Sequence, residues 1–241
     1  MHASAESPEV SSNKLSARAA YSARARRPQF PAMLAVLLAS KALTLPRVDA
    51  VHEIASTRWL KLQTLDYTDQ SGRARKWDMA TRTTKAAGVA DAVVILPLLR
   101  RAGETLGETI VVEQFRPPIG APTIELPAGL IDAGESPQEA ALRELKEETG
   151  YTGTVSLLSE EVCMSPGLCD ETVQVVVVDV DLDAPENRDP AQQLDPGEFV
   201  VVRRVPLDAM REVLDAGAAM PIEGLYLLAI GLEVGRRSSI T

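Results

Sequence analysis

The chain has 241 residues, 45% of them hydrophobic, enough for one domain with a sizeable core plus extensions. Its formal net charge of −9 argues against a general nucleic-acid binder, which needs a basic face to meet phosphates. Two cysteines, Cys163 and Cys169, are too few for a disulfide framework or a zinc site, and they read as reduced core thiols.

In chain order, residues 1–48 read as a disordered or targeting tail. From Lys14 to Arg47 there are seven Lys or Arg and no acids, among many Ala and Ser. That composition resembles a mitochondrial presequence, although Glu6 and Glu9 break its acid-free rule. The apolar run Met33 to Leu38 is far too short to span a bilayer. A cytoplasmic or nuclear location is expected, with mitochondrial import through this tail as the alternative. No membrane partner is expected.

Residues 49–86 predict an N-terminal β-hairpin. Trp59 to Tyr67 and Arg75 to Arg82 are strand-like, and Asp69-Gln70-Ser71-Gly72 between them is rich in turn formers. The hairpin holds both tryptophans of the chain. As bare sequence they read as half-buried sheet residues, with a sandwich around a flat base as the alternative.

Residues 87–237 predict one α/β domain. Val93 to Leu99 and Thr109 to Phe115 read as buried strands, and Arg116-Pro117-Pro118 stops the second. Ile124 to Leu126 is a short strand. Val155 to Leu158, Thr172 to Val180 and Phe199 to Val205 are further strands, and helices follow over Leu207 to Ala216 and Leu225 to Val234. Asp183 to Gly197, rich in Pro, Asp and Asn, reads as an exposed, mobile loop. Strands around one central helix, with helices after, suit an α/β/α sandwich on a mixed sheet. His2 and His52 lie outside this domain, so histidine-based catalysis is not expected.

The central helix lies in Gly129 to Tyr151. Ser136 suits the N-cap, Pro137 the first helical position, Glu139 the capping-box acid and Gly150 a left-handed end. At roughly 100° per residue, Glu144, Glu147 and Glu148 share one arc, while Ala141, Leu142, Leu145 and Thr149 face a core. Crowded carboxylates beside a buried face repel one another unless a cation sits between them. An all-oxygen cluster suits a hard divalent ion, Mg²⁺ first and Mn²⁺ as substitute.

The same stretch is similar to a complete Nudix box, in which Gly129, Glu135, Arg143, Glu144, Leu145, Glu147, Glu148, Gly150 and Tyr151 fill every defined position. A chance match is on the order of one in a million or rarer. Outside the box, WLKLQTLDY, KWDMATRTT, EQFRPP, IELPAGLID, VCMSPGL and PGEF resemble the ADP-ribose (ADP-sugar) pyrophosphatases of the Nudix superfamily, the eukaryotic ones most. The resemblance runs from residue 59 to the last helix.

That resemblance implies a Mg²⁺-dependent hydrolase that cleaves the diphosphate of ADP-ribose and related ADP-sugars into AMP and ribose 5-phosphate. It implies metal ligands Glu144, Glu148 and the carbonyl of Ala128, with Glu147 as a third carboxylate that ligates or activates water. Arg143 and Glu135 would be structural, pairing within the box. Arg116 and Arg82 would contact substrate, Trp59 and Trp77 would stack on adenine, and Leu130 would lie under the ribose. Glu198 would be the loop acid, a base or extra metal ligand. A homodimer is implied, exchanging the N-terminal hairpins so that the two tryptophans come from different subunits. Ser165 departs from the pattern, which has an acid before Pro166-Gly167-Leu168; this weakens a preference for ADP-ribose over other ADP-sugars. Two other readings are a Nudix hydrolase of another diphosphate, such as an oxidised nucleotide, and a noncatalytic nucleotide-sensing module.

Overall fold

The computed structural model describes residues 45–84, 90–103 and 107–238, so most of the expected tail lies outside the described residues. The chain divides into two compact units. One spans residues up to Val89 together with Gly167–Cys169, and the other Ala90–Pro166 and Asp170 onward.

The first unit is an antiparallel three-stranded sheet, in the order β1 (Arg47–Ser56), β2 (Leu60–Thr68), β3 (Ala74–Arg82). Strands β2 and β3 are the expected hairpin. Its turn is fixed by Asp69, whose carboxylate accepts from Ser71 N (2.8 Å) and Arg73 N (3.0 Å) and pairs with Arg75. Gly72 takes the positive φ of +78° that this turn requires. Strand β1 is new: the expected tail stops before it, at most at residue 46. It is exposed at nearly every position, so it lacks the apolar alternation that marks a strand in sequence. Leu168 accepts a hydrogen bond from Ala80 N (2.9 Å), which is how the late segment Gly167–Cys169 joins this sheet at β3.

The second unit carries a mixed sheet: β4 (Ala92–Arg100), β5 (Glu108–Arg116), β6 (Ala121–Glu125), β7 (Ala128–Leu130), β8 (Thr154–Leu158), β9 (Val162–Cys163), β10 (Thr172–Asp181), β11 (Val201–Pro206) and β12 (Met220–Pro221). The path runs β12-β6-β5-β4-β10-β8, with β11 on β5, β7 on β4 and β9 on β10. Strands β4 and β10 are parallel, and so are β6 and β12, while the other pairs are antiparallel. The helices are α1 (Pro137–Thr149), α2 (Met210–Ala216) and α3 (Glu223–Ser238).

Strand alternation makes this a sandwich. Val93, Ile95 and Leu99 of β4 and Ile110 of β5 pack with Ala141 and Leu145 of α1. Their neighbours Val94, Leu96 and Val111 turn to the other face and pack with Met210, Leu214 and Leu225 of α2 and α3. The expected α/β/α architecture is therefore present, with α1 on one face and α2 and α3 on the other. Leu142 is exposed, contrary to expectation, and Ala140 takes its place in the core. Small alanines let α1 lie close on the sheet, which leaves the bulkier Leu142 on the outward side. Cys163 is likewise exposed, in the short strand β9, and Cys169 is only partly buried, so neither is a core thiol. Among the described residues no helix is long and apolar enough to cross a membrane.

Candidate active site

Helix α1 forms as its sequence dictates. Ser136 Oγ accepts from Glu139 N (3.3 Å) and Glu139 returns a bond from Ser136 N (2.8 Å), a complete capping box. Gly150 ends the helix at φ 79°, its N–H on the carbonyl of Lys146.

The three box glutamates stand in different surroundings. Glu148 is 8% exposed, and its carboxylate accepts one bond, from Ala128 N (3.2 Å) in β7. Burial pushes its carboxyl up to about 8, and the neighbouring charges of Glu144 and Glu198 push in the same direction. Glu144 is also raised, by burial first and then by Glu147 and Glu198, against the pull of Arg143. Its carboxyl lies against Gly129, where any Cβ would overlap it. A side chain at this first position of the box would therefore have to push the Glu144 carboxyl aside.

Arg143 binds the box together. It makes a two-pronged pair with Glu135 (2.9 Å for each bond) and donates to Glu144 (2.8 Å), Glu147 (3.1 Å) and the carbonyl of Leu130 (3.0 Å). Glu135 also accepts from Asp132 N (3.1 Å), and Arg143 holds its carboxyl below the usual carboxylate range. The loop is thus tied to the helix through one guanidinium, the internal pairing expected for Arg143 and Glu135.

Arg116 sits at the end of β5. Its Nε and Nη2 make a bidentate pair with Glu125 (2.7 Å each), and it lies within electrostatic reach of Glu148. Glu125 is buried and also accepts from Thr123 Oγ1 (2.5 Å). Burial disfavours its charge, yet the Arg116 fork and the Thr123 hydroxyl keep the carboxyl below the usual range. Glu125 is the residue that sequence reasoning missed. Its only signal was a charge inside an apolar strand, IELP, where a buried partner is required.

Glu198 lies in a turn, its carboxylate accepting from Asp195 N (3.1 Å), within electrostatic reach of Glu144 and Glu148. The loop before it is exposed over most of its length, as expected, but it is anchored. Asn187 is buried and bonds Thr152 N (2.9 Å), Thr152 O (3.0 Å) and Asp181 O (2.8 Å).

The second unit therefore gathers Ala128, Leu130, Arg116, Glu144, Glu147, Glu148 and Glu198. Trp59, Trp77 and Arg82 belong to the first unit. Trp77 lies on β3 opposite Leu65, itself opposite Val51, so these three share one sheet face. Trp59 sits in the bend before β2 with Arg58 over its ring, 4.4 Å from the centroid. Trp59 is 59% exposed and Trp77 46%, so neither serves a core in this chain.

A capped helix thus presents the carboxylates, an arginine orders them, and Gly129 of β7 leaves room for Glu144. The family model described as the NUDIX domain matches residues 89–223, and the chain belongs to the Nudix hydrolases. It is 44% identical over 150 residues to the ADP-ribose pyrophosphatase of Saccharomyces cerevisiae, covering 62% of this chain and 65% of that one. It is 43% identical over 165 residues to the ADP-sugar pyrophosphatase of Mus musculus, covering 68% of this chain and 74% of that one. A crystal structure of an ADP compounds hydrolase shares the fold, with a TM-score of 0.58 at 22% identity, over 83% of this chain and 98% of that one.

Nudix hydrolases generally work with a divalent metal. Among the described residues no three His, Cys, Asp or Glu groups converge on an ion position, and Arg143 donates to both Glu144 and Glu147. The donor set nevertheless fits a hard cation: Glu144 and Glu148 offer carboxylate oxygens, and burial with neighbouring carboxylates disfavours the charge of each, against the pull of Arg143 on Glu144 and of Arg116 on Glu148.

Proposed function

We propose that this protein hydrolyses the diphosphate bond of ADP-ribose and related ADP-sugars, releasing AMP and a sugar phosphate, with Mg²⁺ as the cation and Mn²⁺ as a substitute. The observation that carries the reading is the crowding of Glu144, which lies against Gly129 and is held by Arg143, beside buried Glu148, with the carboxyls of both raised by burial and by neighbouring carboxylates. Relatives bearing ADP-ribose and ADP-sugar pyrophosphatase names support the substrate.

Glu144, Glu148 and the Ala128 carbonyl would hold the cation, with Glu147 as a further carboxylate. When bound, the cation neutralises the diphosphate and lowers the pKa of a water. Arg116, aimed by Glu125, contacts a phosphate and orients it for in-line attack. Arg82 assists at the substrate. Glu198 or Glu147 accepts the proton of the attacking water, and the leaving phosphate departs as the water's oxygen joins phosphorus. Trp59 and Trp77 stack on adenine, and Leu130 lies under the ribose. The test is product release from a panel of nucleoside diphosphate derivatives, with Mg²⁺ present and chelated. Cleavage of ADP-sugars only with Mg²⁺ is expected. Preference for an oxidised nucleotide, or binding without cleavage, would replace this reading.

We also propose a homodimer whose subunits meet through the first unit. A three-stranded sheet that exposes Val48, Val51 and Trp77 on one face leaves an apolar patch needing cover. Sedimentation should give twice the chain mass, and Val51→Glu should shift the protein toward monomer with a raised Michaelis constant. A monomeric wild type would remove the dimer from the site.

A further inference from the structure

The last turn of α1 leaves carbonyls that the helix cannot pair by itself. Residues 190–193 meet them from one side. Gln193 N donates to Glu147 O (2.8 Å), and Gln192 Nε2 donates to Glu148 O (2.6 Å). The same Gln192 nitrogen donates to Val200 O (3.0 Å), two residues beyond Glu198. Gly150 lies so close to the Pro190–Ala191 backbone that a Cβ there would overlap it. One side-chain amide therefore ties the backbone of Glu148, a proposed cation ligand, to the backbone beside Glu198, a proposed proton acceptor.

We propose that Gln192 is a positioning residue for hydrolysis, setting the separation between the α1 carboxylates and Glu198. The inference rests on the proposed activity at this site. Both partners of the amide are acceptors, so the position demands two donors at the reach of a glutamine side chain. Gln193 N and the bonds of Asn187 hold the loop to the second unit independently. Loss of the Gln192 amide should therefore loosen the geometry without unfolding the loop.

Gln192→Ala should lower kcat for ADP-ribose about 10-fold or more, because small misplacements of reacting groups are costly. KM should stay within about 2-fold, since the base and phosphate contacts lie elsewhere, and the melting temperature should hardly move. Gln192→Glu, which brings acceptors and charge to two carbonyls, should be at least as impaired. Gln192→Lys, whose ammonium can donate to both carbonyls, should recover most of the lost kcat. Steady-state kinetics and melting curves on all four proteins decide the matter. An active wild type with unchanged kcat in Gln192→Ala overturns the inference alone. So does a Lys variant no better than Ala, or a loss confined to melting temperature. A wild type inactive on the whole substrate panel sinks the hydrolase reading first, and this inference with it.

Discussion

Glu148→Gln is expected to lower ADP-ribose turnover by about three orders of magnitude while leaving the cation-free protein at least as stable as wild type. The loss follows from removing a charged ligand where negative charge on the diphosphate must be neutralised. The stability follows from burial: in the absence of a cation, Glu148 has one amide donor and repulsion from Glu144 and Glu198. A glutamine fills the same volume and its oxygen can still accept from Ala128 N. A carboxyl raised from the ordinary 4.5 to about 8 contributes stability in its neutral form below 4.5, and that contribution is lost as pH rises through about 8. Glutamine never ionises, so in chelator the melting temperature of the variant should gain on wild type across that window. Melting curves from pH 4.5 to 8 with chelator, and turnover with saturating Mg²⁺, test both halves. Near wild-type activity at limiting Mg²⁺ would contradict the ligand assignment. A variant that melts lower at every pH would contradict the picture of an unrelieved buried charge.

Trp77→Ala should raise the Michaelis constant for ADP-ribose roughly 5- to 150-fold, from stacking worth about 1 to 3 kcal/mol per ring at about 1.4 kcal/mol for each tenfold. Turnover should change less, because the ring would touch the base and not the reacting phosphorus. Truncating a core tryptophan would instead cost about 3 to 5 kcal/mol of stability. With 46% of Trp77 exposed, a loss of that size is not expected from this chain alone. Kinetics and melting temperature measured on one preparation separate the two. Unchanged affinity with lowered stability would remove the adenine clamp and weaken the case for an ADP-sugar.

Much of the catalytic unit was legible because its signals are local. The capping box of α1, its glycine end and the carboxylate arc are fixed by spacing along one helix, and the structure repeats them. So are the turn at Asp69 and the alternating faces of β4. What sequence could not show depends on partners distant in the chain. Glu125 is a charge in an apolar strand until Arg116 closes on it from β5. Segment 183–197 has the composition of free loop, yet Asn187 and Gln192 spend their amides on backbone groups of other elements. Strand β1 escaped notice for a different reason: with little apolar face buried within the chain, it shows no period to read.

The bond from Gln192 to Glu148 closes a separation of 44 residues, and β11 must find β5 across 88 (Val201 to Glu113) to 98 (Pro206 to Glu108). Local propensity can form α1 early, but its last-turn carbonyls wait for a segment that arrives much later in the chain. Contacts of such range are slow to form because chain-closure entropy precedes their reward. On the proposed role of Glu198 as proton acceptor, a collapsed intermediate with α1 already helical would thus carry the whole box and still be inert, since Glu198 would not yet stand beside it. Emergence of activity during refolding is consequently a clock for the final long-range closure, and not for formation of the helix that bears the motif.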